Sequence, residues 1–166
     1  LKLDAKNSEA RLILGKAYFK AGMWLLAEKE FSKALEFGVD KNNVLPLLAQ
    51  VYFHLNNSDS INELININSS LDISVYIILR TYLGLSYVHD GNAKIAKVTF
   101  EEIIADKVDS PYTKVSQSWL SALSGDYKGG LKLLDEINSA NSILDIVVIS
   151  RAQFLFAKND MSEAAG

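Results

Sequence analysis

The chain has 166 residues, 49% of them apolar, and its 17 basic and 20 acidic side chains are mixed along it for a net charge of −3. No basic stripe is present, which argues against a nucleic-acid partner. Cysteine is absent, which removes disulfides, thiolate catalysis and cysteine-ligated zinc together. The only prolines are Pro46 and Pro111, a composition that suits long helices better than many short strands. No stretch reaches the roughly 18 uninterrupted apolar residues of a membrane span. The most apolar, residues 74–88, is broken by Arg80.

Taken in chain order, the sequence repeats itself. Arg11-Leu12-Ile13-Leu14-Gly15-Lys16-Ala17-Tyr18 matches Arg80-Thr81-Tyr82-Leu83-Gly84-Leu85-Ser86-Tyr87 as Arg-x-x-Leu-Gly-x-x-Tyr, at an offset of 69 residues. Gly22 and Gly91, Ala27 and Ala96, and Phe31 and Phe100 pair at the same offset. A 34-residue period fills the interval and divides the chain at 8–41, 42–76, 77–110, 111–144 and 145–166, with one inserted residue before the third repeat. The last is incomplete, and residues 1–7 read as the tail of a preceding repeat. The chain is therefore expected to be part of a longer protein, with repeat-facing surface exposed at Leu1 and Leu3 and at Ala164 and Ala165.

Within the first repeat, Leu14, Ala17, Tyr18 and Ala21 recur at helical spacing, as do Ala27, Phe31, Ala34 and Leu35. Two antiparallel helices follow. Small residues at Gly15 and Ala27 let them approach, and Tyr18 and Phe31 fill the space left over. Gly22, Gly91 and Gly125 stand where the first helix of a repeat must close, and Asn159 takes that place in the last. Pro111 is placed to open a helix, and Pro46 is expected in the first turn of another. The second repeat is the weakest. Polar loops at 56–60 and 66–70 flank an apolar stripe of only Ile61, Leu64 and Ile65, so a short helix is expected, with Asn68 where the first repeat has Ala34. Asn56 and Asn68 head formal glycosylation sequons but read better as loop formers.

No catalytic constellation emerges. Phosphate-binding glycine loops and the His-Glu-x-x-His metal motif are missing, and no serine has a histidine and a carboxylate in a recognisable order. Glu101-Glu102 and Asp135-Glu136 read as solvated helix faces. His54 and His89 each fall thirteenth in their repeats and could approach one another. Two ligands alone make a poor metal site, so they read as polar surface residues, with no metal and no cofactor expected.

The bulky residue, Leu-Gly, Tyr, Ala, aromatic, Ala pattern resembles the tetratricopeptide repeat over essentially the whole chain. It is strongest in the first and third repeats. The usual tryptophan slot holds Arg11, Leu45, Arg80, Lys114 and Val148 instead. The resemblance implies an all-α solenoid, a right-handed superhelix of antiparallel helix pairs, that holds other proteins and is not an enzyme. It also implies a concave surface lined by the first helix of each repeat. The slots concerned hold Lys16, Phe19 and Lys20, then Gln50, Phe53 and His54. Further along they hold Tyr82, Leu85 and His89, then Tyr112 and Trp119. This largely apolar lining suits an apolar peptide or amphipathic helix, unless superhelical winding or a neighbouring segment covers it. Trp119 is the best anchor of such a surface. The polar or small Gln117, Ser118 and Ser121 in the core slots of its helix raise the alternative that the helix is rotated and buries it. The Lys/Asn/Asn/Lys/Arg clamp that grips chaperone C-termini is missing, its slots being Leu12, Lys16, Leu47, Ile78 and Tyr82.

A narrower likeness lies in Ala27-Glu28-Lys29-Glu30-Phe31-Ser32-Lys33-Ala34-Leu35-Glu36-Phe37-Gly38-Val39-Asp40, followed by Asn43-Val44-Leu45-Pro46-Leu47-Leu48-Ala49. Ser124-Gly125-Asp126-Tyr127 and Leu133-Leu134-Asp135-Glu136-Ile137 add to it. These runs are similar to the bacterial repeat lipoproteins of the PEP-CTERM protein-sorting and exopolysaccharide system. That likeness implies a lipid-anchored parent facing the periplasm, and a scaffold role in envelope protein sorting or polysaccharide export. The Asn- and Ser-rich second repeat departs from it. The alternative is a ligand-sensing or regulatory repeat domain of a larger signalling protein.

Overall fold

A computed structural model of the chain describes residues 7–67, 70–137 and 144–164. Every regular element among them is an α-helix, and the chain divides into two compact units, before and after the boundary between Asp90 and Gly91. The first holds α1 (Ser8–Lys20), α2 (Trp24–Glu36), α3 (Lys41–His54), α4 (Ser58–Asn66) and α5 (Ile73–His89). The second holds α6 (Ala93–Ala105), α7 (Pro111–Leu123), α8 (Tyr127–Asp135) and α9 (Leu144–Ala164). The fold class is all-α, built of antiparallel helix pairs, with α1 packed on α2, α3 on α4 and α7 on α8.

The repeat register is written in the backbone. Gly22, Asn56, Gly91 and Gly125 adopt φ of 70°, 53°, 75° and 88°. They stand 34, 35 and 34 residues apart, each at the turn after the first helix of a repeat. Left-handed φ is cheapest for glycine and next cheapest for asparagine, so Asn56 replaces glycine in the second repeat without breaking the turn. The N–H of Met23 reaches the carbonyl of Tyr18, that of Asn57 the carbonyl of Tyr52, and that of Asp126 the carbonyl of Ser121, closing the same cap three times. The following helix then starts on a side-chain cap at Asn57 and Asp126, whose oxygens accept from the N–H groups of Ser60 and Gly129.

Close approach of α1 and α2 rests on Gly15. A Cβ there would lie 2.5 Å from Cδ1 of Phe31, and the Phe31 ring is fully buried with Ala27 and Ala34. The fourth repeat uses the same device from the other side: a Cβ on Gly130 would lie 2.8 Å from the Ser118 carbonyl oxygen and 3.0 Å from the Phe154 ring. In the tryptophan slot of the first repeat, Arg11 instead reaches Glu30 Oε2 at 2.7 Å, an ion pair that is largely shielded from water. As expected from its sequence, α4 is short, with Ile61 and Leu64 buried.

Three expectations are corrected. First, α5 starts at Ile73, four residues before the expected boundary, with Asp72 ahead of it and Val75, Ile77 and Leu79 buried along it. Second, Pro46 lies six residues into α3, not in its first turn, because Asp40 starts the helix early by accepting from the Asn42 N–H at 2.9 Å. Third, α9 continues helically through Asn159 to Ala164, so the turn expected there is not made. Leu1, Leu3, Asn68 and Ala165 lie outside the described residues, as does the side chain of Ala164.

Candidate functional site

The first unit carries a partly exposed aromatic cluster at one end of its helix hairpins. Phe19 lies one residue before the end of α1, and Trp24 is the first residue of α2, so the Gly22 turn brings the two rings together edge to face at 5.1 Å. Trp24 then stacks flat on His54, the last residue of α3, at 4.1 Å and 7° between planes. His54 also meets Phe19 at 6.0 Å and Phe53 at 5.6 Å, and Phe53 continues to Tyr82 of α5 at 5.7 Å. Three helix ends and one helix middle thus meet in a single row of rings. Phe19, Trp24, Phe53 and His54 are each half-buried, so their outer edges stay open to solvent.

Charge beside this row is positive. Lys16 and Lys20 are exposed one turn apart on α1, and Lys16 lies one turn before Phe19. Gln50, one turn before His54, is half-buried and donates from Nε2 to the Pro46 carbonyl at 3.2 Å. His89 is exposed, with Nδ1 3.8 Å from Oδ1 of its neighbour Asp90.

Behind the row, Tyr52 is held between carboxylates of α2 and α4. Burial, then the charge and hydrogen bond of Glu28, then the charge of Glu63, push its hydroxyl up to about 12. The phenol therefore stays protonated and donates to Glu28, tying α3 to the preceding hairpin.

Three expected lining residues are in the core. Tyr82 and Leu85 are buried because α5 lies against both α3 and α4. Trp119 is only 6% exposed: its Nε1 donates to Ser150 Oγ at 2.8 Å, and its ring meets Phe154 edge to face at 4.7 Å. The Trp119 ring is therefore packed inside the second unit, beside the expected core slot Ser118. Ser116 and Ser118 are fully buried because each hydroxyl donates back into its own helix, to the Tyr112 and Val115 carbonyls. That leaves room for a large neighbouring ring. Tyr112 is half-buried in the second unit. Of the expected lining residues, then, the structure brings together Phe19, Phe53 and His54 as a partly open cluster with Tyr82 at its buried end. Trp24 is the member that sequence reasoning missed. Its signal was available: a large aromatic directly after a glycine turn, at the first position of a helix, where most helices carry a polar residue.

Among the described residues no group of three or more histidine, aspartate or glutamate side chains is placed to hold a metal ion, and no helix is long and apolar enough to cross a membrane. No protein family matches the chain, and no curated protein matches it in sequence. Among solved structures it is similar to a thermophilic TPR protein from Thermus thermophilus, at 18% identity, over 90% of this chain and 99% of that one, with a TM-score of 0.47. The tetratricopeptide reading rests on the chain's own turns and small-residue contacts.

Proposed function

We propose that this chain is a non-catalytic scaffold that binds a protein segment, and that the row Phe19–Trp24–His54–Phe53 is where it does so. The observation that carries this reading is the flat Trp24–His54 stack with open outer edges, flanked by Lys16 and Lys20. Rings held by three helix ends are already ordered, so little conformational entropy is lost when a partner covers them. Their faces and edges suit apolar side chains, and the two ammonium groups suit a carboxylate beside them. The partner chemistry is therefore an amphipathic helix or apolar peptide with acidic flanks. The run from Gly38 and Asp40 through Val44-Leu45-Pro46-Leu47-Leu48-Ala49 supports placing the parent protein in a bacterial envelope sorting or polysaccharide-export system.

The test is calorimetry with a synthetic amphipathic peptide of leucines and glutamates, against the same peptide with lysines for glutamates. The acidic peptide should bind, and Phe53→Ala should weaken it by about 2 kcal/mol if Phe53 is an anchor. Equal binding of both peptides, or none of either, contradicts the reading.

A further inference from the structure

The first helix hairpin ends in an apolar tip that the fold does not require. Its turn at Gly22 is followed by Met23, Leu25 and Leu26, which are 50%, 67% and 43% exposed. The same slots hold Asn57, Asp59 and Ser60 after the second turn, and Asp126, Lys128 and Gly129 after the fourth. After the third turn they are mixed, with Asn92 and Lys94 beside Ile95. Asn57 and Asp126 also cap the helices they precede, whereas Met23 gives α2 no side-chain acceptor. The first hairpin therefore forgoes a cap and leaves three large apolar side chains in water. Its core does not need them, because Ala27, Phe31 and Ala34 are fully buried without them. A local rule broken with no gain to the fold marks a functional surface.

Shape and charge show what the tip fits. Consecutive residues leave a helix axis about 100° apart. Met23, Leu25 and Leu26 thus fan around the start of α2 as a rounded tip, wider than the single stripe that one partner helix covers. Cations surround it. Lys20 ends α1 three residues before Met23, Lys16 lies one turn behind it, and Lys29 stands one turn beyond Leu25 on α2; all three are exposed. The only carboxylate from Lys16 to Lys29 is Glu28, and it accepts from the Tyr52 phenol. Exposed Asp59 in the neighbouring turn confines this surface to the first hairpin.

We propose that the tip docks on an anionic lipid bilayer surface. A bilayer closes around a rounded apolar tip from all sides, which a groove built for one helix does not. Met23, Leu25 and Leu26 enter the headgroup and acyl boundary, where such apolar groups lie about 5–10 Å deep. Lys16 and Lys29 stand about one helical turn, roughly 5 Å, above them, so their stems reach along the tip and their ammonium groups meet lipid phosphates. The contact is peripheral, since among the described residues no helix is long and apolar enough to cross a membrane. It goes beyond the proposed peptide site, because none of these three apolar side chains is part of the Phe19–Trp24–His54–Phe53 row.

The test is flotation of the full chain with vesicles of equal parts phosphatidylcholine and phosphatidylglycerol, against vesicles of phosphatidylcholine alone. The anionic vesicles should carry the protein, and partition to the neutral ones should be more than tenfold lower, from three lysines at about fivefold each. Met23→Asn/Leu25→Ser/Leu26→Ser keeps the charge and installs polar residues of the second repeat's kind. It should bind the anionic vesicles at least tenfold less, and melt no lower than wild type because Asn restores a cap. Lys20→Gln/Lys29→Gln should weaken binding to the anionic vesicles about twentyfold and leave binding to the neutral ones unchanged. The polar-tip variant should still bind the acidic amphipathic peptide, because all four rings remain. A wild-type protein that does not float with the anionic vesicles overturns the proposal. So does a polar-tip variant that floats as well as wild type, or equal partition to the two kinds of vesicle. Loss of peptide binding in the polar-tip variant also overturns it, by assigning the tip to the protein partner. Absence of peptide binding in wild type contradicts the peptide site alone and leaves the vesicle result standing.

Discussion

Replacing Gly15 with alanine sets two effects against each other, and the structure decides between them. In an open helix, glycine to alanine stabilises by about 1 kcal/mol through backbone entropy. At Gly15 the new methyl would sit 2.5 Å and 2.6 Å from two carbons of the Phe31 ring. That ring is fully buried between Ala27 and Ala34, so it cannot swing away without displacing α2. Overpacking of this kind costs about 1–3 kcal/mol. The net expectation is a loss of roughly 0.5–2 kcal/mol, read as a lower urea midpoint at constant slope. The companion variant is Phe31→Leu, which removes the clashing ring edge. Alone it should destabilise. Combined with Gly15→Ala it should cost less than the sum of the two, because the residues are in contact. A stabilised Gly15→Ala protein, or strict additivity in the double variant, would refute the claim that this glycine exists to admit Phe31.

Trp119→Ala should cost about 3–5 kcal/mol as a core aromatic removed, whereas Trp119→Phe should cost less but leave Ser150 without its indole donor; chemical denaturation separates the two. Arg11→Ala should lower the thermal midpoint more than Lys97→Ala, because it leaves the buried Glu30 without its 2.7 Å partner, while Lys97 and Glu101 are both exposed. The Tyr52 phenol has a folded pKa above its unfolded value, so the stability it contributes is complete below pH 10 and is lost as pH rises from 10 through about 12. Absorbance at 295 nm should show a late-titrating tyrosine component in the folded protein that is lost in Tyr52→Phe.

The fold was legible because its signals are local. A left-handed turn needs glycine or asparagine, and a close helix crossing needs a small residue. Both constraints recur at 34 or 35 residues, as Gly22, Asn56, Gly91 and Gly125 show. Helix starts were less legible. Pro46 suggested a start near itself, but the Asp40 cap outweighed it; the helical potential of residues 73–76 was likewise hidden behind a repeat boundary. The site was legible only in part, because slot number alone does not say how a helix is rotated. Trp119 and Tyr82 occupy slots that face a groove in the idealised repeat. In this chain buried serines in α7 and two neighbours of α5 turn both rings inward. Trp24 escaped notice because its contact with His54 joins α2 of one repeat to α3 of the next, and no periodicity within a repeat reports that.

The central claim is that a partner segment covers the Trp24–His54 row. The chain has two tryptophans, so its ¹⁵N NMR spectrum carries two indole N–H signals. Trp119 is buried with its N–H bonded to Ser150, and Trp24 is half-buried beside the proposed site. Titrating the acidic amphipathic peptide should shift the Trp24 indole signal progressively and leave the Trp119 signal in place, with Trp24→Phe identifying which is which. A shift of the Trp119 signal alone, or of neither at saturating peptide, would contradict the account.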